Sequence, residues 1–169
     1  MLEAAVKEMK GEGAEERPSV QLNLGIALRI DESYVPEENQ RLRLYKKIAG
    51  AATDAAVDQV RAELEDRYGA PPDATVYLLE AARLRLECER IGIAQVDRKR
   101  GELHIRFTEN ASVAPERLMH LVSRHAKRGA QFTPQGVLKY PLAATRPDEV
   151  LLEIHEVLEN LVPAPAAAS

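Results

Sequence analysis

Cysteine is almost missing from this 169-residue chain. Cys88 stands alone, so neither an internal disulfide nor a thiolate metal cluster can form. Tryptophan is absent, and two Phe and five Tyr leave few stacking platforms for single-stranded nucleic acid. No apolar run approaches the roughly 18 residues of a membrane span, and the first residues lack the apolar stretch of a signal peptide. No GxxxxGK[ST] or GxGxxG pattern occurs, which removes nucleotide hydrolysis, and no serine sits in a GxSxG elbow. His104, His120, His125 and His155 are scattered, with no pair at the i, i+4 spacing of a helical zinc site. No catalytic residue, cofactor site or metal site is expected. These absences fit a cytoplasmic, bacterial-type protein that does not contact membranes and is not itself an enzyme.

What remains is a globular balance, 45% hydrophobic and 30% charged. The length suits one domain with appendages. A net charge of −4 argues against a chain devoted to gripping a phosphate backbone. Residues 83–106 nonetheless carry seven Arg/Lys against four Asp/Glu. Arg98, Lys99 and Arg100 in that stretch are the only candidates for a nucleic-acid contact. The plainer reading is a solvated helix face leading into an exposed hairpin tip.

Along the chain, Leu2, Val6 and Met9 have helical spacing over residues 1–10, and the Gly- and Glu-rich residues 11–18 read as a linker. Val20, Leu22, Leu24, Ile26, Leu28 and Ile30 alternate and predict a long strand, with Gly25 marking a bulge or a close approach. A helix is expected after Pro36, with Leu42, Tyr45 and Ile48 on one stripe. A second is expected over residues 54–68, stopped by Gly69 and Pro71-Pro72. A third, with Asp73 as its cap, carries Val76, Leu79, Ala82 and Leu86 inward and ends near Gly92. Residues 93–97 and 103–107 alternate around Arg98-Lys99-Arg100-Gly101, a hairpin pattern. A helix from Pro115, a short hairpin turning at Pro134-Gln135-Gly136, and a last helix with Val150, Ile154, Val157 and Leu161 complete the order. Residues 163–169 read as a flexible tail. Strands and helices cluster rather than alternate, so the expected class is α+β: antiparallel strands and hairpins packed against about five α-helices.

One local feature works against its surroundings. Glu63 and Asp66 place acid in the last turns of the second helix, where the macrodipole disfavours it, and Arg67 offsets this in part. Three residues apart, the two carboxylates can project from one side. An ordinary helix end with an internal ion pair explains the pattern, and so does a docking site for arginines.

These residues lie in two blocks that resemble a known family. Tyr34-Val35-Pro36, Arg41-Leu42 and Leu44-Tyr45-Lys46-Lys47-Ile48-Ala49 form the first. Glu63-Leu64-Glu65-Asp66-Arg67-Tyr68-Gly69 with Pro72 forms the second. Together they are similar to the C-terminal domain of bacterial transcription-repair coupling factors, over roughly residues 20–161. Departures are mild: Tyr68 stands where Phe is commoner, and Gly50 where a bulkier residue is usual.

The resemblance implies that residues 1–18 end a preceding translocase domain, that residues 19–162 form the regulatory domain, and that the ATP-dependent motor lies elsewhere in a larger parent. It further implies a role in transcription-coupled nucleotide excision repair of DNA damage. The domain would mask the parent's own UvrA-binding, UvrB-like module until stalled RNA polymerase is engaged. Glu63, Asp66 and Arg67 are the residues the resemblance assigns to that interface, facing arginines. The alternative is an accessory DNA contact through residues 83–106, including Arg98, Lys99 and Arg100.

Overall fold

The computed structural model of the chain describes residues 20–162. The readings of residues 1–18 as helix and linker, and of 163–169 as a tail, lie outside the described residues. The elements are β1 (Gln21–Asn23), α1 (Glu38–Gly50), α2 (Asp54–Tyr68), α3 (Asp73–Ile91), β2 (Ile93–Lys99), β3 (Glu102–Phe107), α4 (Pro115–His125), β4 (Gln131–Phe132), β5 (Val137–Pro141) and α5 (Pro147–Leu161). A turn of 3-10 helix, Ala126–Arg128, follows α4. Five helices and a five-stranded sheet make the expected α+β class among the described residues. No described helix is long and apolar enough to cross a membrane.

The sheet order is β1-β2-β3-β5-β4. β2, β3, β5 and β4 pair antiparallel, while β1 pairs parallel to β2, with Leu22 opposite Val96. The β2–β3 hairpin turns on Arg100 and Gly101, both at positive φ (50° and 79°). Left-handed geometry at both turn residues matches the twist of the flanking strands.

The long first strand is a correction. Only Gln21–Asn23 joins the sheet. The alternation beyond it is real as burial, since Leu24 and Ile30 are buried, but Gly25 at φ 67° turns the chain away from β2. Other groups then satisfy its backbone. Arg98 donates to the Leu24 carbonyl at 3.1 Å, and the Thr75 hydroxyl donates to that of Arg29 at 3.0 Å. Period two reports an extended chain with one buried face; it does not report who pairs with its edge.

Two apolar clusters hold the fold. One lies between the sheet and α3, α4 and α5, and includes Ile93, Leu103, Ile105, Leu138, Ile154 and Leu158. The other packs α1, α2 and the opposite side of α3 around Leu44, Val57, Leu64 and Leu79. Each fully buried side chain of this size contributes roughly 1.5–3 kcal/mol relative to exposure.

Helix ends follow simple chemistry with one further correction. Thr53 caps α2 by accepting from the Ala56 amide at 3.1 Å. Asp73 is not a cap: Pro72 holds the cap position without a side-chain bond, and Asp73 sits inside the first turn. There its charge still suits the positive end of the helix. α3 ends at Gly92, left-handed at φ 97°. A Cβ there would lie 2.6 Å from the Ala111 Cα, so glycine is required for space as well as for φ.

Candidate functional site

The acidic end of α2 is built from two sequence-adjacent helices. α1 and α2 form a hairpin around residues 51–53, with Leu44 and Ile48 of α1 and Val57, Val60 and Leu64 of α2 facing inward. That packing brings the flank of α1 beside Glu63. Its carboxylate accepts from Lys47 Nζ at 2.9 Å, from Arg67 at 3.2 Å and from Arg43 at 3.3 Å. The Lys47 hydrogen bond, aided by that lysine's charge and by the two arginines, outweighs desolvation and holds the Glu63 carboxyl below the usual carboxylate range.

Asp66 is different. It is exposed on the same end of the helix, and no hydrogen bond or ion pair involves it among the described residues. Arg67 bonds Glu63 four residues back and stacks 5.1 Å over the Tyr68 ring. The end itself is pinned. The Tyr34 hydroxyl donates to the Gly69 carbonyl at 2.6 Å, and the Tyr34 and Tyr68 rings sit 5.7 Å apart.

The structure thus joins Glu63 to Arg67 and presents Asp66 to solvent. Arg43 and Lys47 are partners of Glu63 that the stripe of Leu42, Tyr45 and Ile48 does not reveal. A usable signal existed, because Arg43 lies ten residues before Thr53 and Glu63 ten after it. In a helical hairpin, residues equidistant from the turn come side by side.

The basic candidates are dispersed. Arg98 is half-buried and spends its guanidinium on the carbonyls of Leu24 and Thr145, at 3.1 and 3.3 Å. Lys99 and Arg100 are exposed at the hairpin tip. Earlier in the same stretch Arg83 is bonded to Asp58 and Glu80, and Arg85 to Glu89 and to the carbonyls of Ile48 and Ala51. Arg83 and Arg85 are therefore matched within the fold, while Lys99, Arg100 and Arg106 stay exposed.

Cys88 is fully buried, and desolvation, with help from Glu87 and Glu89, pushes its thiol up to about 12. No group of three or more His, Cys, Asp or Glu able to hold a metal occurs among the described residues.

Residues 24–118 match the family model described as TRCF domain, a span that contains both α1 and α2. The transcription-repair-coupling factor of Haemophilus influenzae is 34% identical over 132 residues, covering 73% of this chain and 11% of that protein. That of Escherichia coli K12 is 34% identical over 95 residues, 56% of this chain and 8% of that protein. The chain therefore spans about a tenth of the length of these relatives. Among solved structures, the crystal structure of the C-terminal domain of transcription-repair coupling factor superposes with a TM-score of 0.74, at 20% identity, over 87% of this chain and 94% of that one. At that identity the superposition speaks for the fold.

Proposed function

The chain belongs to the TRCF domain family, and from that premise we propose that it is a regulatory protein-interaction domain which docks on the UvrA-binding, UvrB-like module of its parent and masks it. Release on engagement of stalled RNA polymerase would then expose the module to UvrA during transcription-coupled repair. The ATP-dependent translocase activity belongs, in this reading, to other parts of the parent. The chain itself acts by binding.

The observation that supports this most is Asp66. It is an exposed carboxylate without a partner, near the carbonyl end of a helix, on a surface braced by the Tyr34–Tyr68 contact. A carboxylate held where its own helix dipole disfavours it gains most from an incoming cation. Glu63 has three cations already, so an arriving arginine would share or displace one of them rather than fill a vacancy. Asp66 is thus the primary contact and Glu63 the group that holds α1 and α2 in place beneath it.

Isothermal titration of this chain against the isolated UvrA-binding module tests the proposal. Saturable binding that weakens with Asp66→Ala, and more with Glu63→Ala added, is the expected result. Binding unchanged by both substitutions would move the interface elsewhere on the domain. The alternative DNA contact has Lys99 and Arg100 exposed at the hairpin tip and Arg106 exposed on β3, and it requires salt-dependent retention of the chain on DNA.

A further inference from the structure

A groove of about 460 Å3 lies between α3 and α5, beside the start of α2. The docking reading above does not use it. Asp54 lines the groove, and Asp66 lies twelve residues further along α2, roughly 18 Å of helix axis away. The floor is apolar, with Val76, Tyr77, Leu84, Leu151 and Leu152. Leu152 is 57% exposed, the most exposed large hydrophobic side chain among the described residues.

Charge around this floor has one sign left over. α5 contains five carboxylates and neither lysine nor arginine. Glu153 turns to accept from the Ala143 and Ala144 amides at 3.1 and 2.8 Å. Of the others, Asp148 bonds Arg146 at 3.4 Å, Glu149 is exposed, and Glu156 and Glu159 border a separate groove towards α4. Each cation at the groove is already matched: Arg83 by Asp58 and Glu80, Arg90 by Asp54 at 4.0 Å, and His155 by Glu87 at 2.7 Å and Glu159 at 3.5 Å. Desolvation first, then the carboxylates of Asp73 and Asp148, push the Tyr77 phenol up against the opposing charge of Arg146. Asp54, Asp58, Glu80, Glu87, Asp148 and Glu159 thus share only Arg83, Arg90, Arg146 and His155, which leaves the balance negative.

We propose that the α3–α5 groove is a second docking site, and that its occupant is an amphipathic helix of a partner whose apolar stripe is flanked by lysine or arginine. Two packed helices offer a third helix an apolar seat along their junction. An extended segment would need an open strand edge for its backbone, and the groove walls are helical throughout. The carboxylate excess along the groove, from Asp54, Glu80, Glu87 and Asp148, selects basic flanks and repels acidic ones.

The test uses the whole 169-residue chain, isotope-labelled for NMR. The probe is a synthetic peptide of about 16 residues, long enough to hold a helix, with leucine at i, i+3, i+4 and i+7 and lysine on its flanks. A control peptide carries glutamate in place of every lysine. Shifts confined to α3 and α5, a roughly tenfold loss of affinity with Leu152→Lys, and no response to the acidic peptide are expected. Asp66→Ala leaves this binding unchanged, which separates its outcome from that of the masking reading. Leu152 is exposed, so Leu152→Lys keeps the wild-type melting curve and reads binding alone. Shifts centred elsewhere, equal binding of the two peptides, or indifference to Leu152→Lys would overturn the proposal. So would sedimentation showing that the chain dimerises and that Leu152→Lys makes it monomeric, since a second copy would then fill the groove.

Discussion

Replacing Glu63 by Gln separates the structural from the docking role of the α2 end. The variant keeps the shape of the side chain and removes the charge that three cations share. Glu63 has a side-chain exposure of 23%, while Arg43, Lys47 and Arg67 range from 38% to 53%. Exposed pairs contribute about 0.2–1 kcal/mol each, and three cations on one carboxylate do not add in full. The expected loss is therefore about 1 kcal/mol at neutral pH. For a domain of this size that lowers Tm by about 3–4 °C.

Its pH dependence has a definite sign. The folded-state pKa of Glu63 is depressed, chiefly by the Lys47 hydrogen bond, so the contribution is present above the usual carboxylate range. It disappears as pH falls through the depressed folded value, and wild type and Glu63→Gln then converge. Calorimetric melts of wild type, Glu63→Gln and Asp66→Asn at neutral and acid pH make the comparison. Asp66→Asn should melt with the wild type or slightly above it at neutral pH, since it removes a charge that the helix dipole disfavours. Equal melting of Glu63→Gln and wild type at neutral pH, or a larger loss in Asp66→Asn, would refute the assignment of Glu63 to bracing and Asp66 to contact.

Other substitutions and one thiol reagent probe different parts of the fold. Gly92→Ala forces a Cβ to 2.6 Å from the Ala111 Cα at a φ of 97°, and urea unfolding should show a loss of roughly 3 kcal/mol or more. Gly136→Ala, also at positive φ but in open space, should lose only about 1 kcal/mol in the same assay. Cys88, buried with its thiol pushed up to about 12, should react with an aromatic disulfide reagent only after denaturation; rapid reaction of the native chain contradicts its placement. Desolvation disfavours the His155 cation, but the Glu87 hydrogen bond and charge outweigh it and raise the pKa. The α3–α5 contact it makes should thus be complete below about pH 6.5, the ordinary value for histidine, and fade as pH rises through the raised value. NMR titration of the His155 ring should place its midpoint above that of a His reference peptide, and Glu87→Gln should bring it back.

Much of this architecture could be read from residues alone, because local rules and tertiary demands agree. The stripe Val150, Ile154, Val157 and Leu161 is buried along α5 as expected. The Arg100-Gly101 turn sits where the basic hairpin was drawn, and Gly92 and Pro115 mark a stop and a start. What escaped was partnership. The extent of β1 was overread because an extended segment can bury alternate side chains while giving its backbone bonds to Arg98 and to the Thr75 hydroxyl. Asp73 was misplaced by one position, since Pro72 can serve as an N-cap without a side-chain bond. At the α2 end, Glu63 and Asp66 look alike in sequence, and only the flank of α1 distinguishes them.

α3 shows why such partnerships are hard to read from a pattern. Its sequence suggests one inner face, yet Leu79, Ala82 and Leu86 enter the helical cluster while Leu84, Cys88 and Ile91 enter the sheet cluster. A helix buried on two sides has a broad apolar arc and a weak amphipathic signal, so a single stripe accounts for only half of its contacts. Val76, assigned to the inner stripe, lies instead in the groove wall beside α5. Arg83 and Arg85 leave α3 on opposite flanks, each lining a different groove, and both are tied to neighbouring elements rather than left to solvent. Because α3 belongs to both clusters, the helical hairpin that carries Glu63 and Asp66 shares a wall with the sheet. The acidic α2 end is therefore held by the core of the whole domain and not by a detachable lobe, which fixes the backbone from which Asp66 projects.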